Sequence, residues 1–292
     1  MESPGLPADL PADWADALAT LVAAQARRVL IAGPTDVGKS RFALAMLAAW
    51  AAAGEAGLLL DADPGQKMVG PPGAVTLGDY DALGQPVLEG LHFVGTTSAA
   101  AIGAIVDGAG RLARRAGDRP VAINSSGLVV GPGVPLALRT IMSAGVDRIV
   151  AIAAPAELQQ SLAASGVPVI RLARPAAAHR KGRGERARRR RAAFEAYLRD
   201  AAPLSLPREQ VRLASPLTAC LASREARPVC ALTDADGTDL AMGILDAVDD
   251  ETIQLAAPPV ERRIASLRLG AMWARRAPSS WALVDELLPA AR

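Results

Sequence analysis

One stretch near the amino terminus constrains this chain more than any other: RRVLIAGPTDVGKSRFALAMLAAWAAA, residues 27–53. An apolar burst of strand length runs into an octapeptide bounded by glycine, and an alanine-rich helical run follows at once. The octapeptide GPTDVGKS, Gly33 to Ser40, has the spacing GxxxxGKS. A strand that feeds a helix through such a turn leaves a ring of backbone N–H groups at the helix N-terminus, which is a ready anion site.

The residue types suit a phosphate chain. Gly33 and Gly38 let the backbone curl, and Pro34, Thr35, Asp36 and Val37 make up the loop between them. Lys39 can reach the β- and γ-phosphates, the Ser40 hydroxyl can ligate Mg²⁺, and Arg41 follows at the mouth. The expected ligands are ATP or another nucleoside triphosphate, with Mg²⁺.

Apolar bursts and helical stretches keep alternating after the loop. Strands are expected at 27–33, 56–63, 90–97, 119–126, 147–154 and 167–173, and helices near 39–53, 98–117, 133–145 and 155–164. Continuous apolar strands alternating with helices imply a parallel sheet covered on both faces. After Pro175 the pattern changes to one basic helix and then short β-like pieces, with DADG at 234–237 suited to a hairpin turn. The fold class is therefore α/β: a P-loop NTPase-type parallel sheet covered by helices, with a small, mainly β domain at the C-terminus. The expected divisions are a loose, proline-rich lead-in over 1–24, a P-loop domain over 25–203 that includes a helix at 183–200, and the β domain over 204–292.

Composition excludes several classes. Apolar residues make up 51% of the chain, too many for a disordered protein. No run is long and uninterrupted enough to span a membrane. The acidic N-terminus does not read as a secretion signal, so a cytoplasmic location is expected. Cys220 and Cys230 lack metal-site spacing and read as small buried side chains in a reducing compartment. His92 reads as structural, His179 as exposed and Trp50 as core. A net charge of +2 hints only weakly at a polyanion, but much of the positive charge is concentrated at 181–191.

The second strand ends LLLDADPGQ. Alternation along a strand puts Asp61 and Asp63 on one side, at the carboxyl end where open α/β sheets bind ligands. One carboxylate could hold Mg²⁺ and another accept a proton from an attacking hydroxyl, although either could simply cap the next turn. A hydrolase would place an acid here too, so water and an alcohol both stand as nucleophiles at this point.

Taken in order, GPTDVGKS, DADPGQ with PPG at 71–73, FVGTTS at 93–98, INSSGLVVGPG at 123–133 and the basic RARRRRAAFEAYL resemble the polynucleotide 5′-hydroxyl kinases. The eukaryotic members of that family act in pre-mRNA cleavage and ribosomal RNA processing. The likeness runs from about residue 27 to 200 and resumes in the C-terminal β segments. It implies that Asp63 and Gln66 form the family's DxxQ element, with Asp63 activating a 5′-hydroxyl. It implies that Thr96, Thr97 and Ser98 clasp the substrate end, and that Asn124, Gly127 and Leu128 match the NTxGW element. Leu128 stands where the family has tryptophan, which withdraws a base-stacking face worth about 1–3 kcal/mol.

On a helix, Arg183, Arg186, Arg190, Phe194 and Tyr197 fall on one stripe. That suits a lid seated by its aromatics, with Arg186 and Arg190 over the transferring phosphate, and the family's lid carries such an RxxxR pair. Arg188, Arg189 and Arg191 lie elsewhere on the helix, for a nucleic-acid backbone or for solvation.

The function expected is transfer of the γ-phosphate of ATP to the 5′-hydroxyl of single-stranded RNA or DNA. The catalytic set is Lys39, Asp63, Gln66, Arg186 and Arg190, and Ser40, Asp61 and Asp63 are the metal candidates. The alternatives are a catalytically weak ATP-binding scaffold in RNA processing, or a P-loop NTPase or small-molecule kinase with another acceptor. Protein partners are not indicated by the sequence.

Overall fold

The computed structural model describes residues 10–213, 226–277 and 280–284. Its first half is a seven-stranded sheet. β1 (Arg28–Ala32), β2 (Leu58–Asp61), β5 (Val121–Asn124) and β6 (Arg148–Ile152) are apolar and almost wholly buried. With β7 (Val169–Leu172) they run parallel, in the order β2-β5-β1-β6-β7. The helices α2 (Lys39–Ala52), α3 (Ile102–Arg115), α4 (Gly133–Ala144) and α5 (Ala156–Ala164) lie where the sequence pattern predicts them, within a few residues. Two apolar layers, one on each face of the sheet, bury Leu30, Leu60 and Ile123 on one side and Val29, Ile31 and Leu59 on the other.

The expected α/β fold is present, and the mostly parallel sheet is mixed at one edge. β3 (Ala74–Tyr80) and β4 (Pro86–Phe93) pair antiparallel and extend the sheet beyond β2. The 81–85 turn between them is closed by the Asp81 carboxylate, which accepts the Leu83 and Gln85 N–H groups. A turn that short leaves no room for a crossover helix, so the two strands can only pair antiparallel. β3 escapes the sequence pattern because Thr76, Gly78 and Asp79 interrupt its apolar run.

The lead-in is not loose from residue 12 onward. α1 (Ala12–Ala23) packs on α2, with Trp14 fully buried and edge-on to Phe42 at 5.3 Å.

The C-terminal part is a second sheet. It contains β8 (Ala202–Pro207), β9 (Arg212–Leu213), β10 (Arg227–Thr233), β11 (Asp239–Val248), β12 (Thr252–Ala257), β13 (Ser266–Ala277) and β14 (Ser280–Val284). It is antiparallel in the order β14-β13-β10-β11-β12-β8, with β9 parallel to β13. The DADG turn joins β10 to β11, with Asp234 N–H bonded to the Thr238 carbonyl. Cys230 is fully buried in this sheet, and burial pushes its thiol up to about 12. Cys220 lies outside the described residues.

The basic helix α6 (Arg183–Tyr197) stands at the junction of the two sheets. Phe194 is buried with Val229, Ile244 and Met272 of the C-terminal sheet and Leu91 and Phe93 of the hairpin. Tyr197 Oη accepts the Met242 N–H at 2.8 Å. The two aromatics do seat the helix, and the boundary expected at 203/204 falls beside a core shared by both sheets. Nearby, buried Asp239 accepts the Phe93 N–H at 2.9 Å, pairs with Arg268 at 2.6 Å, and lies 3.2 Å from His92 Nδ1. His92 is thus a link between the sheets, as its structural reading requires.

Candidate functional site

The loop between β1 and α2 takes its shape from its own residues and from α1 beneath it. Gly38 has φ +98°, and a Cβ there would come within 2.7 Å of the Trp14 ring. Val37 is buried below the loop, while Thr35 and Ser40 face outward. Lys39, only 7% exposed, donates to the Gly33 and Pro34 carbonyls at 2.8 and 2.7 Å. Burial brings its pKa down to about 8, against the opposing pull of Asp63 and Asp36. The amine is charged at neutral pH and curled onto its own loop.

Above the loop lies a cavity of about 310 Å³ whose walls bring together Lys39, Ser40, Asp63, Gln66, Asn124 and Arg186. These residues come from four segments: the loop, the stretch after β2, the end of β5 and the start of α6. Asp63 Oδ1 accepts the Gly65 and Gln66 N–H groups at 2.8 and 3.1 Å, so it caps its turn and lines the cavity at once. Burial, then repulsion from Asp61, raises its pKa above the usual carboxylate value. Asn124 Nδ2 donates to Asp61 at 3.1 Å, while its buried Oδ1 has no hydrogen-bond partner.

Asp61 departs from the expectation. β2 ends at this residue, so strand alternation does not carry on to Asp63. The Asp61 carboxylate is fully buried and lies off the cavity wall. It accepts the Met68 N–H at 2.7 Å and sits 3.5 Å from the Lys67 amine. Its lone pairs serve the domain interior, which removes it from the group of cavity oxygens suited to a metal.

The start of α6 is held to the loop. Arg186 meets Asp36 at 2.6 Å, and Asp36 also accepts the Lys181 N–H at 3.0 Å, with the Lys181 amine 3.5 Å away. Burial works to raise the Asp36 pKa, but the Arg186 hydrogen bond and the Lys181 contacts outweigh it and hold the carboxyl below its ordinary value. Gln66 Nε2 donates to the Arg186 carbonyl at 3.3 Å, tying the DxxQ turn to the same helix. Arg190, one turn further on, is half-exposed and off the cavity wall. Of the other arginines, Arg189 pairs with Glu185 at 3.1 Å along the exposed side of the helix.

The remaining substrate candidates surround the cavity rather than line it. Thr96 Oγ1 and Ser98 Oγ accept N–H groups within their own loop, from Ser98 and Ala100. The Thr97 carbonyl presses against Gly65, with 3.0 Å to the position of a Cβ there. Gly127 lies directly under the loop, where a Cβ would be 2.1 Å from Thr35 Cγ2. Leu128 lines a separate, small apolar cavity with Leu30, Ile105 and Leu136.

Four residues enter the site in ways the sequence pattern did not indicate. Asp36 was legible only as part of the loop, although an acid in an anion-binding turn is itself a signal. Lys181 and His179 line the cavity from the segment before α6. Lys67, buried beneath the DxxQ turn, gave no pattern at all. A second cavity of about 480 Å³, between the start of α1 and residues 173–177, shares Arg41, Pro175 and Ala177 with the first.

The fold and the loop together define a P-loop protein of the nucleotide-binding class, with the start of α6 held to the loop. Residues 33–200, more than half of the chain, match the family described as mRNA cleavage and polyadenylation factor CLP1 P-loop. The chain belongs to this Clp1-type family, which is related to the polynucleotide kinases. Solved structures that share the fold include two at 11% sequence identity. One is the wild-type Clp1p–Pcf11p complex, with a TM-score of 0.65 over 88% of this chain and 78% of that one. The other concerns an extended Pcf11p–Clp1p interface and ATP loss in a point mutant, with a TM-score of 0.63 over 88% of this chain and 77% of that one. No curated protein matches the sequence.

Proposed function

We propose that the chain is an ATP-dependent polynucleotide 5′-hydroxyl kinase acting on single-stranded RNA or DNA ends. The observation that carries this reading is the convergence of Lys39, Asp63, Gln66 and Arg186, from three separate segments, on one cavity. The triphosphate would lie across the loop amides with its base toward the second cavity, beside Arg41. Lys39 would exchange the Gly33 and Pro34 carbonyls for phosphate oxygens. Arg186 would likewise exchange Asp36 for the γ-phosphoryl group, offsetting charge as it develops there.

The 5′-oxygen attacks the γ-phosphorus in line with the β–γ bridging oxygen, the P–O bond to the β-phosphate breaks, and ADP leaves. Asp63 accepts the hydroxyl proton, and a carboxylate of raised pKa is a better base for that task. Gln66 keeps the turn and α6 in register. Magnesium, when bound, neutralises charge on the β- and γ-phosphates. The Ser40 hydroxyl, the Asp63 carboxylate and the unpartnered Asn124 Oδ1 are hard oxygens of the type it selects. Thr96, Thr97, Ser98 and the exposed arginines of α6 would receive the nucleic-acid strand.

A second reading, an ATP-binding scaffold with little turnover, is favoured by Leu128, which faces an apolar cavity where the polynucleotide kinases offer a stacking ring. Label from γ-labelled ATP separates the two. The kinase reading expects label on a 5′-hydroxyl oligonucleotide, abolished by Lys39→Ala and by Asp63→Ala; ATP binding without any transfer selects the scaffold.

A further inference from the structure

Lys67 is the one lysine whose amine is sealed beneath the DxxQ turn, with its side chain 1% exposed. Its Nζ donates to three backbone carbonyls, those of Asp61 at 2.9 Å, Asp63 at 3.2 Å and Ala74 at 3.1 Å. Three N–H donors are what an ammonium has to give, so this tripod is fully used. The Asp61 carboxylate, 3.5 Å away, supplies the counter-charge. The three carbonyls mark the end of β2, the residue expected to act as base, and the start of β3.

A charged amine in a buried position needs compensation from its surroundings, and hydrophobic packing would fill the same space without that requirement. The arrangement makes sense as positioning. Asp63 is gripped at three atoms: its Oδ1 by the Gly65 and Gln66 N–H groups, its own N–H by Asp61 Oδ1 at 3.4 Å, and its backbone carbonyl by Lys67. Lys67 is the side chain that holds Asp63 from the carbonyl side. Because Ala74 follows Gly73, whose N–H bonds the Pro64 carbonyl, the same amine also closes the loop that returns to the turn.

We infer that Lys67 is a positioning residue for phosphoryl transfer, fixing the Asp63 carboxylate toward the cavity through its backbone rather than by touching any reactant. This rests on the kinase reading for its kinetic consequence but not for its structural one. A base displaced by about 1 Å loses on the order of 100-fold in rate.

The test uses Lys67→Met and the double variant Asp61→Asn/Lys67→Met, with two readouts. The first is amide hydrogen exchange at Gly65 and Gln66. The second is steady-state kinetics with ATP and a 5′-hydroxyl oligonucleotide. The inference expects faster exchange at both amides in both variants and a fall in kcat of roughly 100-fold, with KM for ATP little changed. The double variant, whose buried charges are removed together, should regain thermal stability without regaining kcat. Where Lys67→Met alone fails to fold, the double variant carries both readouts.

Unchanged protection at Gly65 and Gln66 overturns the inference. So does recovery of kcat in the double variant, which would reduce Lys67 to neutralising Asp61. If the unaltered protein transfers no label, the kinase reading fails, and the exchange measurement still decides the role of Lys67.

Discussion

Asp36, in the middle of the phosphate-binding loop, holds Arg186 of α6 at 2.6 Å across 150 residues of chain. A carboxylate is an odd occupant for a loop built to attract anions. It has two cationic partners: Arg186 and Lys181 both pair with it at the edge of the cavity they line. In the proposed function a bound triphosphate would offer the same cations a stronger partner, and Asp36 would then be a like charge beside it.

Asp36→Asn should therefore tighten ATP binding, by about tenfold for one partly screened like charge removed. Isothermal titration at low and moderate salt checks this, and the gain should shrink as salt rises. The pH dependence has a fixed sign. The folded-state pKa of Asp36 lies below the ordinary 3.8, so the latch contributes stability above that value and loses it as pH falls through the depressed one. The melting-temperature difference between the unaltered protein and Asp36→Asn should vanish at the acid end of that range.

Arg186→Ala should lower kcat by on the order of 1,000-fold while leaving the protein folded, as expected for a guanidinium that meets charge developing on the γ-phosphoryl group. Arg190→Ala should cost less, because Arg190 lies off the cavity wall. Label-transfer kinetics on the two variants side by side give the comparison. Equal losses would mean that α6 moves further on ATP binding than a simple exchange of partners requires.

Lys39 gives a second pH signature. Its folded pKa of about 8 lies below the unfolded 10.5, so the unfolded chain binds more protons between those values and stability rises with pH across that window. Nucleotide affinity should move the other way in the same range. As pH climbs past 8, the free protein must take up a proton before Lys39 can pair with phosphate. ATP affinity should weaken by roughly tenfold per pH unit there, and Lys39→Arg, which stays charged, should show a flat profile by titration calorimetry.

How much of this was legible follows from where the physics is local. The β1–loop–α2 unit is specified within a few consecutive residues, so its strand, its glycine turn and its lysine could all be read off directly. β3 could not, because its polar residues are accommodated by tertiary partners, Thr76 Oγ1 on the Val69 carbonyl and Asp79 beside Arg119. α1 was hidden by the prolines that precede it, and the burial of Trp14 against Gly38 shows its use. Arg186 was accessible through helical periodicity, but its partner was not, since nothing in the spacing of residues 36 and 186 says that they meet. Asp61 misled because a strand-period argument was carried past the end of the strand. Lys67 was invisible for a similar reason: its three acceptors are backbone atoms, which leave no mark in a sequence.

Trp14 tests the support of the loop from below. Trp14→Ala opens a cavity under Gly38 and removes the edge contact with Phe42, which should cost about 3–5 kcal/mol. Urea unfolding measures that loss. ATP affinity should fall with it even under conditions where the variant is fully folded, because the ring is what Gly38 rests on.

Leu128 is where the chain departs from the ring-bearing element of the polynucleotide kinases, and its surroundings say what restoring the ring would do. The apolar cavity it lines has only about 20 Å³ of free space, far too little for an indole. The ring of a Leu128→Trp variant must therefore turn outward, toward the strand's approach, rather than inward. Outside, it regains a stacking face worth about 1–3 kcal/mol per base. KM for a 5′-hydroxyl oligonucleotide should then drop by at least about fivefold, while ATP affinity stays as it was, because Leu128 is not on the wall of the nucleotide cavity. A variant that binds oligonucleotide no better would mean that the 5′ end does not approach along this edge, and the clasp expected from Thr96, Thr97 and Ser98 would have to be sought on another face of the same cavity.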